Sequence, residues 1–220
     1  MGEPGSFEPG SRLSGLNARV TSESVEVVRL PQSGLRVASE MLARAFQHDP
    51  AWEWVLPDPE RRAELLPWLF RVGFDVTAAD VWTTPGEVRG AARWLPPGRT
   101  AMRVAAALRA VVTTPIRLGS ATSRFLAYGR AVETLRADAA KGPHWYLAGI
   151  GVDPTARRQG IGTALLQPSL AGARRDGLPC LLLTNNEVNL TFYAGHGFEV
   201  VLEGETPAGG PHAWAMVKQP

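Results

Sequence analysis

The sequence predicts an α/β fold: one mixed central sheet, flanked by helices and carrying a helical insertion. Three observations point there. Short apolar strands alternate with amphipathic helices through the last third of the chain, and hairpin patterns stand on both sides of that stretch. The 220 residues, 45% of them hydrophobic, also suffice for one substantial core.

Residues 1–24 are rich in Gly, Pro and Ser and show neither a helical nor a strand period, so they read as a disordered tail. A single domain is expected over residues 25–220. "VEVVRL" alternates as a strand, and "SGLRVASEMLARAFQ" places Leu35, Ala38, Met41, Leu42, Ala45 and Phe46 at helical spacing. The proline-interrupted "HDPAWEWVLPDPE" reads as a loop. A helix over residues 60–78 then carries Leu65, Leu66, Leu69, Phe70 and Phe74 on its apolar face. "VWTT", the turn "PGE" and "VRGAARWLP" form a hairpin pattern that "PPG" stops.

Residues 99–141 are Ala/Arg-rich and helical, with breaks expected near Pro115 and Gly119. "HWYLAGIGV" is a strand, "DPTARRQGIG" a loop, and "TALLQPSLAGARRDG" a helix that Gly177 can end. The buried strand "CLLLT", a short helix within "NNEVNLTFYAGHG", and the strands "FEVVLEGE" and "HAWAMVK" complete the order.

Composition narrows the function classes. No stretch approaches 18 uninterrupted apolar residues, and the first residues lack the basic-then-apolar order of a signal peptide, so a cytoplasmic protein without a membrane partner is expected. One cysteine, Cys180, excludes an internal disulfide and a cysteine zinc cluster; in "CLLLT" it reads as a buried, inert thiol. The 23 basic residues are 21 Arg and 2 Lys, nearly balanced by 21 acidic residues and scattered along the chain, so no nucleic-acid surface is expected. Four histidines without H-E-x-x-H spacing imply no metal.

"RRQGIG", residues 157–162, stands directly ahead of an apolar helix. A helix N-terminus presents unpaired N–H groups and partial positive charge, and glycine lets phosphate oxygens approach the backbone. Taken alone, a plain strand-to-helix turn with solvated arginines explains these residues equally well. A P-loop is excluded, because Gly162 is followed by Thr163 and Ala164. A G-x-G-x-x-G fingerprint fails at Leu165. The preceding strand carries Gly149 and Gly151 inside an apolar run, the mark of a bulge or of close approach by a backbone or ligand.

Together, "IGVDP", "RRQGIG" and the later "NLTFYAGHGF" (residues 189–198) resemble the acyl-CoA motifs of the GNAT N-acetyltransferase superfamily. Over residues 25–218 the chain is most similar to its branch of puromycin N-acetyltransferase and related actinobacterial enzymes, through "LAGIGVDP", "GLPCLLLT", "NLTFY" and "GGPHAWAMVK". The resemblance implies a GNAT-type fold with a splayed central sheet, acetyl-CoA as cosubstrate and no metal. It implies acetyl transfer to a primary amine of a small molecule, by direct attack in a ternary complex, in a monomer or homodimer. Loss of the amine's charge is one route to antibiotic resistance.

By the same resemblance, the backbone of Ile150, Gly151 and Val152 meets the pantetheine and thioester. Arg157, Arg158, Gln159, Gly160, Ile161, Gly162 and Thr163 hold the pyrophosphate, Asn189 contacts the pantetheine arm, and Tyr193 protonates the departing thiolate. Where relatives read "LET" or "LEA", this chain has Leu183 in "LLLT", so a carboxylate near the amine is missing. Glu187, His144 and Asp153 are nearby substitutes that could act through water, but each reads better as an ordinary loop residue, and none is chosen as the base. Phe46, Asp49, Trp52, Trp54 and Tyr128 are candidate amine contacts, with His48 beside them; the tryptophans read equally as core seals. Two rival functions stand beside the main one: a protein lysine or N-terminal acetyltransferase, and a non-catalytic acyl-CoA-binding sensor.

Overall fold

Among the described residues seven strands form one sheet: β1 (Val28–Arg29), β2 (Asp80–Thr83), β3 (Gly90–Leu95), β4 (Trp145–Val152), β5 (Cys180–Thr184), β6 (Glu199–Glu205) and β7 (His212–Lys218). Their order across the sheet is β1–β2–β3–β4–β5–β7–β6. The computed structural model describes residues 25–76, 79–98, 104–206 and 209–220. The tail expected over residues 1–24 lies outside them.

Among the described residues seven α-helices dress this sheet: α1 (Leu35–Ala45), α2 (Pro50–Val55), α3 (Pro59–Val76), α4 (Val104–Leu118), α5 (Thr122–Ala139), α6 (Ile161–Asp176) and α7 (Val188–Ala194). Alternate strand residues feed opposite faces. On one face Ala92, Trp94, Leu147 and Leu182 pack with Leu165, Leu166 and Phe198 from the α6 and α7 side. On the other, Ala91 meets Leu42 and Phe74 of α1 and α3, and Leu181 and Ala215 meet Leu135 of α5.

Only β4 and β5 run parallel, joined by the α6 crossover; every other neighbouring pair is antiparallel. Their pairing is short. Trp145, Tyr146 and Leu147 match Cys180, Leu181 and Leu182, and there the ladder ends. Beyond it, residues 149–152 keep only β3, and residues 183–184 keep only β7. A wedge opens between the two strands, and the site is built in it.

Three local expectations change. β1 spans two residues rather than six, although Val25 and Val27 still pack against the core. The expected loop at "DPAWEWV" is helix α2, because Pro50 takes the first helical position, where its missing N–H costs nothing, and Asp49 caps the end. Pro115 lies inside α4 instead of ending it; the carbonyl it orphans belongs to Val111, an exposed residue that water can serve. α4 also turns Val104, Leu108, Val111, Val112 and Ile116 outward, and no described residue covers them.

Candidate active site

The β3–β4 register decides which backbone groups face the wedge. Asp153 N–H donates to the Arg89 carbonyl at 2.9 Å, and the pairs run Val152↔Gly90, Gly151↔Ala91, Ile150↔Ala92. In an antiparallel ladder hydrogen-bonded positions alternate, so Gly151 turns its polar groups toward β3, while Ile150 and Val152 point theirs away, into the wedge. The register shifts between Arg93 and Trp94, which leaves Ala148 as an extra β4 residue, a bulge where the two strands begin to part. Gly151 has a different use: an added Cβ would lie 2.8 Å from Leu42 and 3.1 Å from Phe46, so its bareness lets α1 press on β4.

The loop ahead of α6 is shaped for an anion. Gly160 caps the helix at φ +77° with no side-chain bond, leaving the first-turn N–H groups without an intrahelical partner. Arg158 also takes positive φ, 62°, a conformation that bulky residues adopt only when their surroundings impose it. Alternating hands of this kind turn successive N–H groups to one side, forming a concave anion nest. Thr163 is held from behind: Phe192 O accepts from His196 Nδ1 at 2.7 Å, so His196 Nε2 is free to accept the Thr163 hydroxyl at 3.2 Å. Gln159 Oε1 accepts from Arg89, which turns that side chain toward β3.

A groove of about 830 Å³ runs from this loop along β4 to α7. Arg157, Arg158, Gly160, Ile161, Gly162 and Thr163 line one end of it, and Ile150, Gly151, Val152, Asn189 and Tyr193 line the remainder. The donor set fits a phosphate at one end and an amide-bearing chain along the strand. A second cavity of about 280 Å³ adjoins it. Both are lined by Phe46, Asp49, Ile150, Asn189 and Tyr193, so these residues mark the junction.

Tyr193 hangs from α7, its ring edge-on to Phe192 and Phe198 at 5.2 and 6.0 Å. Its hydroxyl makes no hydrogen bond within the described residues. Burial, reinforced by the Asp49 charge, pushes the phenol above its ordinary range, so it remains protonated at neutral pH. Asn189 Nδ2 donates to Thr184 Oγ1 at 3.2 Å, which orients its amide from the β5 side of the wedge.

Asp49 enters the junction from the opposite side, between α1 and α2. Its Oδ1 accepts from Ala51 N–H at 3.0 Å. Burial pushes the carboxyl up to about 6 from an ordinary 3.8, overcoming the opposing pull of the Ala51 and Trp52 N–H groups. Arg62 holds the turn that presents it. That side chain is 4% exposed and donates to the carbonyls of Gln47, Leu56 and Pro57 at 2.7, 2.6 and 3.2 Å. Nothing in the sequence pattern marks Arg62, since the carbonyls it satisfies come from two separate turns.

The smaller cavity is walled by Trp52, Phe70, Phe125 and Tyr128. Tyr128 donates to Asn185 Oδ1 at 2.8 Å and Asn185 Nδ2 donates to His212 O at 2.8 Å, so the hydroxyl ties α5 to the end of β5. Trp54 lines neither cavity: it packs against the Val55, Leu56 and Leu66 cluster, which removes it from the candidate amine contacts.

Leu183 lines the smaller cavity, so no carboxylate comes from β5. Asp153 is engaged by Thr155 and by Arg44 at 2.7 Å, contacts that hold its pKa below the usual range, and with Glu187 and His144 it lines neither cavity. Sequence reasoning placed Asp49 among substrate contacts but did not propose it as the missing base. Among the described residues, no three His, Cys, Asp or Glu side chains are grouped to hold a metal ion, and no helix is long and apolar enough to cross a membrane.

Solved structures share this architecture at low sequence identity. A Corynebacterium glutamicum protein described as histone acetyltransferase HPA2 and related acetyltransferase superimposes with a TM-score of 0.61 at 22% identity, covering 88% of this chain and 95% of that one. An agmatine N-acetyltransferase gives 0.55 at 14% identity over 90% and 100% of the two chains. A mosquito arylalkylamine N-acetyltransferase-like protein gives 0.53 at 14% over 89% and 100%. The family model of the GNAT acetyltransferases matches residues 47–198, from the α1–α2 turn to the end of the Tyr193 segment, and the chain therefore belongs to the acetyltransferase (GNAT) family, acyltransferases that use acetyl-CoA as cosubstrate.

Proposed function

We propose that this protein acetylates the primary amine of a small molecule by direct attack in a ternary complex. The carrying observation is the junction: a groove with an anion nest at its far end opens into a separate aromatic-walled cavity where Tyr193, Asp49 and the β4 strand meet. A groove of this kind suits CoA, and a cavity of this kind suits a compact acceptor rather than a polypeptide segment. The agmatine N-acetyltransferase of the same fold is a precedent for a small amine as acceptor.

Acetyl-CoA, when bound, supplies an activated thioester. Asp49 attracts the acceptor's ammonium group and takes up its proton, directly or through water. The N–H groups of Ile150 and Val152 are the donors available for negative charge on the acyl oxygen. Tyr193 Oη provides the proton for the departing thiolate, whose basicity rises in the same desolvated space that holds the phenol protonated. Cys180 takes no part: it lines neither cavity, and burial pushes its thiol up to about 12, so direct attack is the route left.

The test is thiol release from acetyl-CoA across a panel of amines headed by puromycin, with mass analysis of the products. A gain of one acetyl group on an amine nitrogen is expected. Tight CoA binding with no turnover on any amine would overturn the reading in favour of a CoA sensor. Acetylation confined to peptide lysines or N-termini would overturn it in favour of a protein acceptor.

A further inference from the structure

Two glycines line the smaller cavity without any visible need to be glycine. Gly149 lies in β4 and Gly129 in α5, neither with positive φ, and a Cβ added at either would meet no atom within 4 Å. Glycine inside a strand or helix weakens it, and the usual compensations are a special backbone angle or close packing. Gly151, two residues along the same strand, shows such packing against α1; Gly149 does not. What their missing side chains leave is empty volume inside the cavity.

Their depths differ. Gly149 is partly buried and precedes Ile150, one of the junction residues, whereas Gly129 is exposed and lies away from the junction, on the α5 face that carries Phe125 and Val132. The cavity's chemistry completes the picture. Among the described lining residues Asp49 is the one charged side chain, and the walls are aromatic. A second buried ammonium would lack a partner, and a carboxylate would meet repulsion from Asp49.

We infer that Gly149 and Gly129 are the specificity-determining residues of the amine cavity, which takes a primary monoamine with an uncharged, ring-bearing body. Gly149 makes room for a branch beside the reacting nitrogen, and Gly129 makes room at the rim for the far end of a long body. This rests on the acyl-transfer reading above for which end of the cavity faces the thioester.

The experiment compares ethylamine, 1-phenylethylamine and 4-phenylbutylamine with the wild-type protein, Gly149→Ala, Gly149→Val and Gly129→Leu. Turnover is read by thiol release, and binding by calorimetric titration into the CoA complex. Both kinds of substitution suit their elements, since Val favours a central strand and Leu a helix, so thermal melting should show intact folds. Gly149→Val should lower kcat/KM for 1-phenylethylamine, relative to ethylamine, by about tenfold or more, and Gly129→Leu should do so for 4-phenylbutylamine. Gly149→Ala should give a smaller shift in the same direction.

Folded variants whose selectivity does not move, or a wild-type protein that binds none of the three amines, would overturn the inference. If wild-type turnover is absent on every amine while titration still shows ring amines bound and the variants discriminating them, the subsite stands and the transfer reading fails.

Discussion

The two halves of the site are built from different materials. On the cofactor side the working groups are backbone: the outward N–H groups of Ile150 and Val152, the nest at Arg158 and Gly160, and the first turn of α6. On the amine side they are side chains drawn from the α1–α2 turn, α2, α3, α5, β4, β5 and α7. A backbone site tolerates few sequences, because its conformations demand glycine at set positions; a side-chain cavity tolerates many. The contrast predicts that substitutions at the junction damage chemistry most, and that those toward either end damage only one substrate's binding.

The junction should give the largest effect. Tyr193→Phe retains the ring contacts with Phe192 and Phe198 but removes the proton donor, so kcat should fall by about 10²–10⁴ while the KM for acetyl-CoA stays near its wild-type value. Steady-state kinetics with both substrates varied checks this. Unchanged kcat would mean that water or another group protonates the thiolate, and the junction would lose its chemical meaning.

Asp49→Asn should come next, with a fall of about 10² in kcat/KM for the amine and no comparable change for acetyl-CoA. In the native protein that parameter should decline as pH drops through about 6, where the carboxylate takes a proton, and the variant should lose this limb. Stability moves the other way. The folded carboxyl binds its proton more tightly than the unfolded chain does, so folding weakens as pH rises from about 4 to about 6 and stays weaker above. Removing the charge should therefore stabilise the protein at pH 7 by about 2–3 kcal/mol, since Asn also caps a helix. Thermal melts at pH 4 and pH 7 check it: the gain should be present at pH 7 and nearly gone at pH 4.

The same contrast explains what could be read from sequence. "RRQGIG" after "IGVDP" was legible because glycines and arginines at fixed spacing leave few backbone shapes open, and the strand and helix on either side lie where the periodicity places them. Asp49 was visible as a residue but not as a base, because the burial that raises its carboxyl comes from tertiary packing, at a junction it shares with Tyr193, more than 140 positions away. Trp52 and Trp54 are two residues apart and identical in type, and both pack on the same hydrophobic cluster; only the packing of α2 turns Trp52 to the cavity as well. The helix itself was hidden by its prolines, which read as interruptions until Asp49 is seen to cap and Pro50 to begin it. Gly151 was assigned to the thioester by its place in the motif, and register, which no local pattern reveals, turned its N–H toward β3.

On the cofactor side, Gly160→Ala tests whether backbone shape carries binding. The added Cβ has room, its nearest neighbour being Val25 at 3.8 Å, so the damage comes from the left-handed angle, which costs an L-residue about 1–2 kcal/mol. The KM for acetyl-CoA should rise about tenfold if the loop flattens to relieve that strain. The KM for the amine should hold. A rise in both, with a lowered melting temperature, would show that the loop supports the whole sheet rather than one ligand.

Arg157→Ala should produce the smallest change and the one most dependent on conditions. Its guanidinium lies among exposed groups, held among the described residues only by a long 3.4 Å bond to the Ala45 carbonyl, so approaching a phosphate costs little conformational freedom. An exposed ion pair contributes at most about 1 kcal/mol, which sets the expected rise in the acetyl-CoA KM at about threefold to fivefold in dilute buffer. Added salt screens such a pair, so the difference between variant and wild type should shrink toward nothing near 0.5 M, a concentration at which the Debye length falls to about 4 Å. Backbone N–H groups carry no net charge and are buried against the ligand, so the Gly160→Ala defect should survive the same salt. If both defects vanished together, the loop would be acting through net charge alone, and the division between a backbone-built and a side-chain-built half of the site would fail.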